Sequence, residues 1–258
     1  MVYHNLVDLR LEFAIPEEGE ISMLQLANIL AASPGLAILK LEEMTITPSD
    51  NWKAEKVVRL AHLELLYLKG LTYDSWVALP LVLSLSDCPD TLEVGIHHGE
   101  GVRFELSQRV QDFLRGAHIK TLGICLLGTD DNPQWALSLP RIIPSLENLI
   151  LPSCNLLNLR GSEEVVEELE ANTIAPSCLP HLFLVSSNLD LGKLKSIVSV
   201  YRVGTLHLDG LFGSYGLDSG SSKAELRTAL LESFPSLECT ISDEDTTRHW
   251  PCRRMFDW

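Results

Sequence analysis

The sequence predicts an α/β solenoid in which one short strand and one helix alternate along 258 residues. Two observations carry that prediction. A strand-like pattern, apolar-x-x-Leu-x-apolar, returns nine times at nearly constant intervals. Between its copies the apolar period moves from about 2 toward about 3.6 residues, the change that separates a half-buried strand from an amphipathic helix. The composition agrees: 46% hydrophobic residues and a mean hydropathy of +0.12 suit an ordered chain with enough apolar surface to offset ordering entropy.

The copies read LVDLRL from Leu6, LAILKL from Leu36, LELLYL from Leu63, a weaker PDTLEV from Pro89, and IKTLGI from Ile119. LENLIL from Leu146, LPHLFL from Leu179, VGTLHL from Val203 and FPSLEC from Phe234 follow. Their starts are 24 to 33 residues apart, a mean of about 28 at the long end of the leucine-rich-repeat range. The fold expected is therefore a leucine-rich-repeat solenoid, a horseshoe with about nine parallel strands on its concave face and helices on its convex face. It forms one domain over 1–258, with repeats from about 6 to 241 and an irregular tail at 242–258.

Two copies extend into LENLILPSCNL and LPHLFLVSSNLDL, which bring Asn155 and Asn188 to the point where the chain leaves the strand. A carboxamide there donates and accepts together, satisfying backbone groups of the turn. The first repeats lack this residue and are expected to be less regular.

Helices are expected at 22–33, where Met23, Leu26, Ile29 and Leu30 share a face, and at 104–116, where Leu106, Val110, Phe113 and Leu114 do. Others fall at 162–173, with Ser162 as N-cap, at 191–200 and at 222–234. Pro80 in 72–86, and Pro133, Pro140 and Pro144 in 133–144, predict short or broken helices there. A solenoid exposes an apolar flank at each end. The polar start of 242–258 suits a cap over the last repeat, whereas the chain enters a repeat strand within its first residues, which predicts a further domain or partner over Leu6, Leu9 and Leu11.

With 35 Asp and Glu against 20 Lys and Arg, the formal charge is −15. No basic stripe offsets it, so nucleic acid is not an expected partner. Acidic runs such as 17–20, 163–170 and 243–245 read as solvated faces. No apolar run reaches the roughly 18 residues of a membrane span, and the first residues do not form a signal peptide. The six cysteines, Cys88, Cys125, Cys154, Cys178, Cys239 and Cys252, show no CxxC spacing. They read as small buried hydrophobes of a reducing compartment, cytoplasm or nucleus.

Motifs for catalysis and for cofactors are missing. There is no GxGxxG after a strand, no GxxxxGK[ST], no HExxH and no GxSxG. The adjacent His97 and His98 would face opposite sides of a strand, so they read as loop or surface residues rather than metal ligands. No metal site and no enzyme activity are expected.

A protein partner is expected on the concave face, to which the residues between the leucines point. The middle of each copy gives the row Arg10, Lys40, Tyr67, Glu93, Gly123, Ile150, Phe183, His207 and Glu238. The later strands gather Ile150, Pro152, Phe183 and Val185 beside His181 and His207, an apolar and aromatic centre with a polar surround, as binding hot spots are built. Leu65 and Tyr67 form a second, smaller candidate.

With its repeats aligned, the chain resembles the leucine-rich-repeat part of fungal F-box proteins, especially the large basidiomycete type. The stretches that carry the likeness are LELLYLKGLTYDSW (63–76), LPHLFLVSSNLDLGKLKSIVSV (179–200), GTLHLDG (204–210) and FPSLE (234–238). The resemblance implies a substrate receptor in which an F-box holds the adaptor of a cullin ubiquitin ligase and the repeats hold the target. The F-box itself, opening with a Leu-Pro pair before a helical Leu/Ile-rich run, has no match here. A regulator of an enzyme, similar to ribonuclease inhibitor or to Ran activators, is the alternative; Arg160 is a candidate for the catalytic arginine of the latter.

Overall fold

The computed structural model describes residues 5–13, 19–48, 57–98, 107–126, 134–156, 178–210 and 223–242. The helix expected at 162–173, the N-cap Ser162, Arg160, Cys252 and the tail at 243–258 lie outside them. The contacts divide the chain into two compact units, Met1–Leu122 with Arg254–Trp258, and Gly123–Arg253.

The first unit opens with β1 (Asp8–Glu12), β2 (Glu20–Ser22), α1 (Met23–Ala31), β3 (Ile38–Glu42) and β4 (Thr45–Thr47). It continues through β5 (Val58–Arg59), β6 (Leu65–Lys69), α2 (Tyr73–Val82), β7 (Leu83–Ser84), β8 (Leu92–His98) and α3 (Gln108–Arg115). Strand β9 (Ile119–Leu126) begins in this unit and ends in the second. There follow α4 (Gln134–Ile142), β10 (Asn148–Pro152), β11 (His181–Val185), α5 (Leu191–Val200), β12 (Thr205–Asp209), α6 (Lys223–Ser233) and β13 (Glu238–Ser242). One sheet of nine strands runs in chain order, β1-β3-β6-β8-β9-β10-β11-β12-β13. The pairs β1–β3, β3–β6, β6–β8, β10–β11, β11–β12 and β12–β13 are all parallel. One strand per turn of chain, all parallel and in sequence order, is the leucine-rich-repeat solenoid that the spacing predicts.

The leucines of the repeated motif supply the core, as expected. In the first unit Leu39, Leu41, Leu66, Leu68, Val94 and Ile96 are buried together with Leu26 and Leu30 of α1 and Trp76 and Leu79 of α2. In the second, Leu149, Leu151, Leu182, Leu184, Leu206 and Leu208 are buried with Leu137 of α4 and Leu194 of α5. Each fully buried leucine contributes about 1.5–3 kcal/mol of transfer free energy. Tyr201 takes its polar end into this core, and its hydroxyl donates to the Leu137 carbonyl. Helix starts follow local chemistry: Ser22 and Gln25 close a capping box on α1, and Thr72, Ser107 and Asp190 cap α2, α3 and α5.

Register departs from the sequence reading at two copies. Leu65 pairs with Glu93 and Tyr67 with Gly95, so the fourth copy begins at Thr91 rather than Pro89. His207 pairs with Thr240 rather than with Glu238, a second shift of two residues. Both shifts preserve the face each residue occupies, because the strand period is two. The β1–β3, β3–β6, β10–β11 and β11–β12 pairs match the expected rows.

Prolines do not break the helices. Helix α2 runs ten residues with Pro80 inside it, and α4 runs nine with Pro140 inside. Pro80 stands near the end of α2, so a single helix hydrogen bond is lost there, and burial of Trp76, Leu79 and Val82 outweighs the proline's penalty of about 3 kcal/mol. The early repeats are also as regular as the later ones: β1, β3 and β6 pair over five consecutive residues, as β10 and β11 do. The turn out of the strand explains why. Glu43, Gly70, Ser153, Ser186 and Gly210 each follow a sheet strand directly and each adopts positive φ, between 46° and 58°. The N–H of Glu43 donates to Lys69 O, Gly70 to His97 O, Ser153 to Val185 O and Ser186 to Asp209 O. A left-handed residue is the device these five turns share. Asn155 and Asn188 do meet further on, in an isolated parallel bridge. Two small parallel pairs, β2 with β4 and β5 with β7, were not legible from the repeats. Ser75 of α2 fastens the first of them, accepting from the Ile46 N–H at 2.8 Å.

Candidate functional site

The residues between the leucines form the inner face of the sheet, the one expected to receive a partner. In the second unit its rows are Asn148, His181, Thr205 and Glu238; then Ile150, Phe183, His207 and Thr240; then Pro152, Val185, Asp209 and Ser242. The sheet register thus brings together the six residues singled out on β10 to β12. Ile150, Phe183 and Val185 are buried, whereas Pro152, His181 and His207 are half-exposed. The apolar centre is therefore a floor, and the surface above it belongs mainly to the imidazoles and their polar neighbours.

That surface is ordered by ring contacts. The His207 ring stacks on Phe183 with centroids 4.3 Å apart and planes 6° from parallel. His181 stands 6.5 Å from His207 and 6.4 Å from Phe183, tilted to both. Thr240 Oγ1 and His207 Nδ1 lie 2.7 Å apart, a hydrogen bond that fixes the ring across the β12–β13 boundary. In the row above, Thr205 Oγ1 donates to Glu238 Oε2 at 3.5 Å. Burial lowers the His207 pKa below its usual value, the nearby His181 lowers it further, and Asp209 and Glu238 pull the other way. The neutral imidazole, stacked and accepting or donating through Nδ1, is thus the favoured form at neutral pH.

The first unit's candidate is built differently. Leu65 and Tyr67 are both 1% exposed, as are Lys40 and Glu42 beside them. Lys40 Nζ lies 5.4 Å from the Tyr67 ring centre, a cation–π contact, and Tyr67 OH is 3.2 Å from His97 Nδ1. His97 and His98 both belong to β8, and His97 is tied into this inner face rather than lying in a loop. Lys69 Nζ stands 3.5 Å from Glu42 Oε2, long for a charge-assisted bond, and no other donor among the described residues reaches the Glu42 carboxylate. Desolvation raises the Glu42 pKa, against the opposing attraction of Lys69. Charged groups this deeply buried were not predictable from their position on a face that the repeat pattern assigns to solvent.

Among the described residues no group of three or more His, Cys, Asp or Glu is placed to hold a metal. A groove of about 300 Å³ opens beside α2 and α3, lined in part by Pro80, Leu83, Arg109 and Phe113. Its one carboxylate, Asp112, is engaged by Arg115 at 2.7 Å and by Gln108 at 2.8 Å. Cys88, Cys125, Cys154 and Cys239 are buried, and Cys178 is exposed. Burial pushes the thiols of Cys88 and Cys125 up to about 11 and that of Cys154 to about 12, so they behave as inert apolar groups. No described helix is long and apolar enough to cross a membrane.

Compared with known protein families the sequence matches none, and no curated protein matches it. Among solved structures, the crystal structure of a TLR13–ssRNA13 complex is similar at 15% identity and a TM-score of 0.38, covering 95% of this chain and 34% of that one. The chain spans about a third of the length of that structure.

Proposed function

We propose that the chain is a protein-interaction module that catalyses no reaction and offers the inner face of its second unit to a protein target. The observation that carries this reading is the Phe183–His207–Thr240 arrangement. A buried ring supports a half-exposed imidazole, which a threonine on the next strand holds in place. A rigid aromatic platform loses little conformational freedom when it is covered, the property that distinguishes binding hot spots. Such rows, offered on a sheet where no metal cluster stands among the described residues, suit recognition better than chemistry.

Within that class we propose the substrate-recognition part of an F-box-type ubiquitin-ligase receptor, working in the cytoplasm or nucleus. The similarity of 63–76, 179–200, 204–210 and 234–238 to basidiomycete F-box proteins supports it. An F-box in the full protein would then hold the cullin adaptor. The test is affinity purification with mass spectrometry, comparing the wild type with a His181→Ala/His207→Ala variant. A partner lost from the variant supports the module, and a cullin adaptor co-purifying with both supports the ligase role. A small GTPase or a nuclease as the lost partner, without adaptor, would replace the ligase role with enzyme regulation. An unchanged partner set would remove the inner face of the second unit from function.

A further inference from the structure

We propose that the inner face of the second unit takes an extended segment of a partner protein that carries lysine or arginine side chains. The proposal rests on the reading of this face as the docking surface and adds the chemistry of what docks. On β11, β12 and β13 the inner rows contain His181, Thr205 and Glu238; Phe183, His207 and Thr240; and Val185, Asp209 and Ser242. Two carboxylates and two imidazoles are the ionisable groups of these rows, and none of the nine residues is Lys or Arg. The inner rows of β1, β3 and β6 differ, for they hold Arg10, Lys40 and Lys69. A cation arriving at the second unit's face meets no like charge from these strands.

The geometry suits a guanidinium or an ammonium group. One face of the His207 ring rests on Phe183, and the hydrogen bond to Thr240 keeps the ring from turning. The half-exposed remainder of the imidazole is a flat, π-rich surface on which a guanidinium can stack. Glu238 is exposed in the adjoining row, diagonal to His207 across the β12–β13 pair, so its carboxylate is within reach of the same incoming side chain. The surplus of 15 negative charges on the chain steers basic segments toward it at long range.

Charge on the two imidazoles opposes this binding. Among the described residues of these strands the titratable groups of the face are His181 from β11, His207 and Asp209 from β12, and Glu238 from β13, while β10 presents Asn148, Ile150 and Pro152, which do not titrate, and Lys223 of α6 donates to the Ser242 carbonyl at the edge of the face. With both imidazoles neutral the rows carry net negative charge. Protonating His207, which lies diagonal to Glu238, reduces that charge, so capture weakens as pH falls.

The experiment is selection of a random peptide library displayed on phage against the full chain. The enriched peptides are then synthesised and measured by fluorescence anisotropy on the wild type, Glu238→Gln, Glu238→Lys and His207→Ala. Expected are peptides rich in Lys and Arg whose affinity falls about tenfold in Glu238→Lys, and less in Glu238→Gln. Their affinity should also fall on raising salt to about 0.5 M and on lowering pH to about 5.5. Glu238 is exposed, so both of its variants keep the core intact. Enriched peptides that are neutral or acidic, yet weaken in His207→Ala, overturn the basic partner while leaving the docking face in place. Basic peptides indifferent to all three variants overturn the proposal as non-specific attraction to an acidic chain. Failure to enrich any peptide that responds to the variants overturns the docking face itself.

Discussion

The imidazole of His207 lies flat against the ring of Phe183, 4.3 Å away, although the two residues stand 24 positions apart in sequence. They are direct partners in the β11–β12 register, and they differ in role: Phe183 is 6% exposed and His207 is half-exposed. Substitutions at the two positions should therefore separate. Phe183→Asp places a carboxylate in an apolar floor and should destabilise by about 3–5 kcal/mol or more. His207→Ala loses a stacked pair and one hydrogen bond, about 1–2 kcal/mol. Urea unfolding of both variants reads the difference directly. Equal small effects would mean that Phe183 is not part of the floor, and the polar substitution would then be usable as a binding probe.

His207 also makes stability depend on pH. Its folded pKa lies below the ordinary histidine value because burial and His181 disfavour the charged form. A depressed pKa means that the unfolded chain binds the proton more readily, so this contribution is present above the ordinary value near 6.5 and is lost as pH falls through the folded value. Between neutral pH and about pH 5, the wild type should lose more thermal stability than His207→Gln, which cannot take up the proton. Parallel melting curves for the two proteins across that interval would show that the ring titrates without hindrance.

The strand rows were legible because burial stamps them on the sequence at every second residue, and a misjudged start moves a residue along its row without changing its face. This is why Tyr67 was paired with Glu93 instead of Gly95. Counted from Pro89, Leu92 takes the place of the invariant leucine, which in the sheet belongs to Val94, the partner of Leu66. Phe183 and His207 were brought together correctly because both lie in unambiguous copies. Burial of Lys40, Glu42, Tyr67 and Phe183 was not legible, since a row position tells which face a residue occupies and nothing of what that face meets. The left-handed turn escaped for a different reason. Glutamate, serine and glycine share the position after the strand, and only Gly70 and Gly210 advertise a positive φ.

That turn position yields a pair of opposite expectations. Gly70→Ala should destabilise by about 1–2 kcal/mol, because an L side chain is strained at φ +58°. The added Cβ would also come within 2.3–2.6 Å of the Glu43 carboxylate, which must turn aside. At Gly210 the backbone strain is alike, but the nearest atom, Ser186 Oγ, is 3.3 Å away, so Gly210→Ala should be the milder of the two. In the reverse direction Ser153→Gly relieves a side chain held at φ 57° and should stabilise by about 0.5–1 kcal/mol, after the entropy that glycine adds to the unfolded chain. Urea midpoints for the three variants provide the comparison. A neutral Gly70→Ala together with a destabilising Ser153→Gly would refute the shared turn.

Glu42 offers the sharpest test of the first unit's inner face. It is 1% exposed, Lys69 is 3.5 Å away, and no other donor among the described residues reaches its carboxylate. Desolvation raises its pKa more than Lys69 and Lys40 lower it, and Glu12 adds repulsion. A carboxyl with a raised folded pKa contributes stability that is complete below the unfolded value and is lost as pH rises through the folded one. Glu42→Gln keeps the shape, removes the buried charge and cannot titrate, so it should exceed the wild type in stability at neutral pH. The advantage should shrink as the medium is acidified toward pH 4.5, the unperturbed value, where the wild-type carboxyl takes up its own proton. Denaturant titrations of both proteins at several pH values measure that gap. A variant less stable than the wild type at neutral pH would show that the Lys69 ion pair, and not desolvation, governs the site.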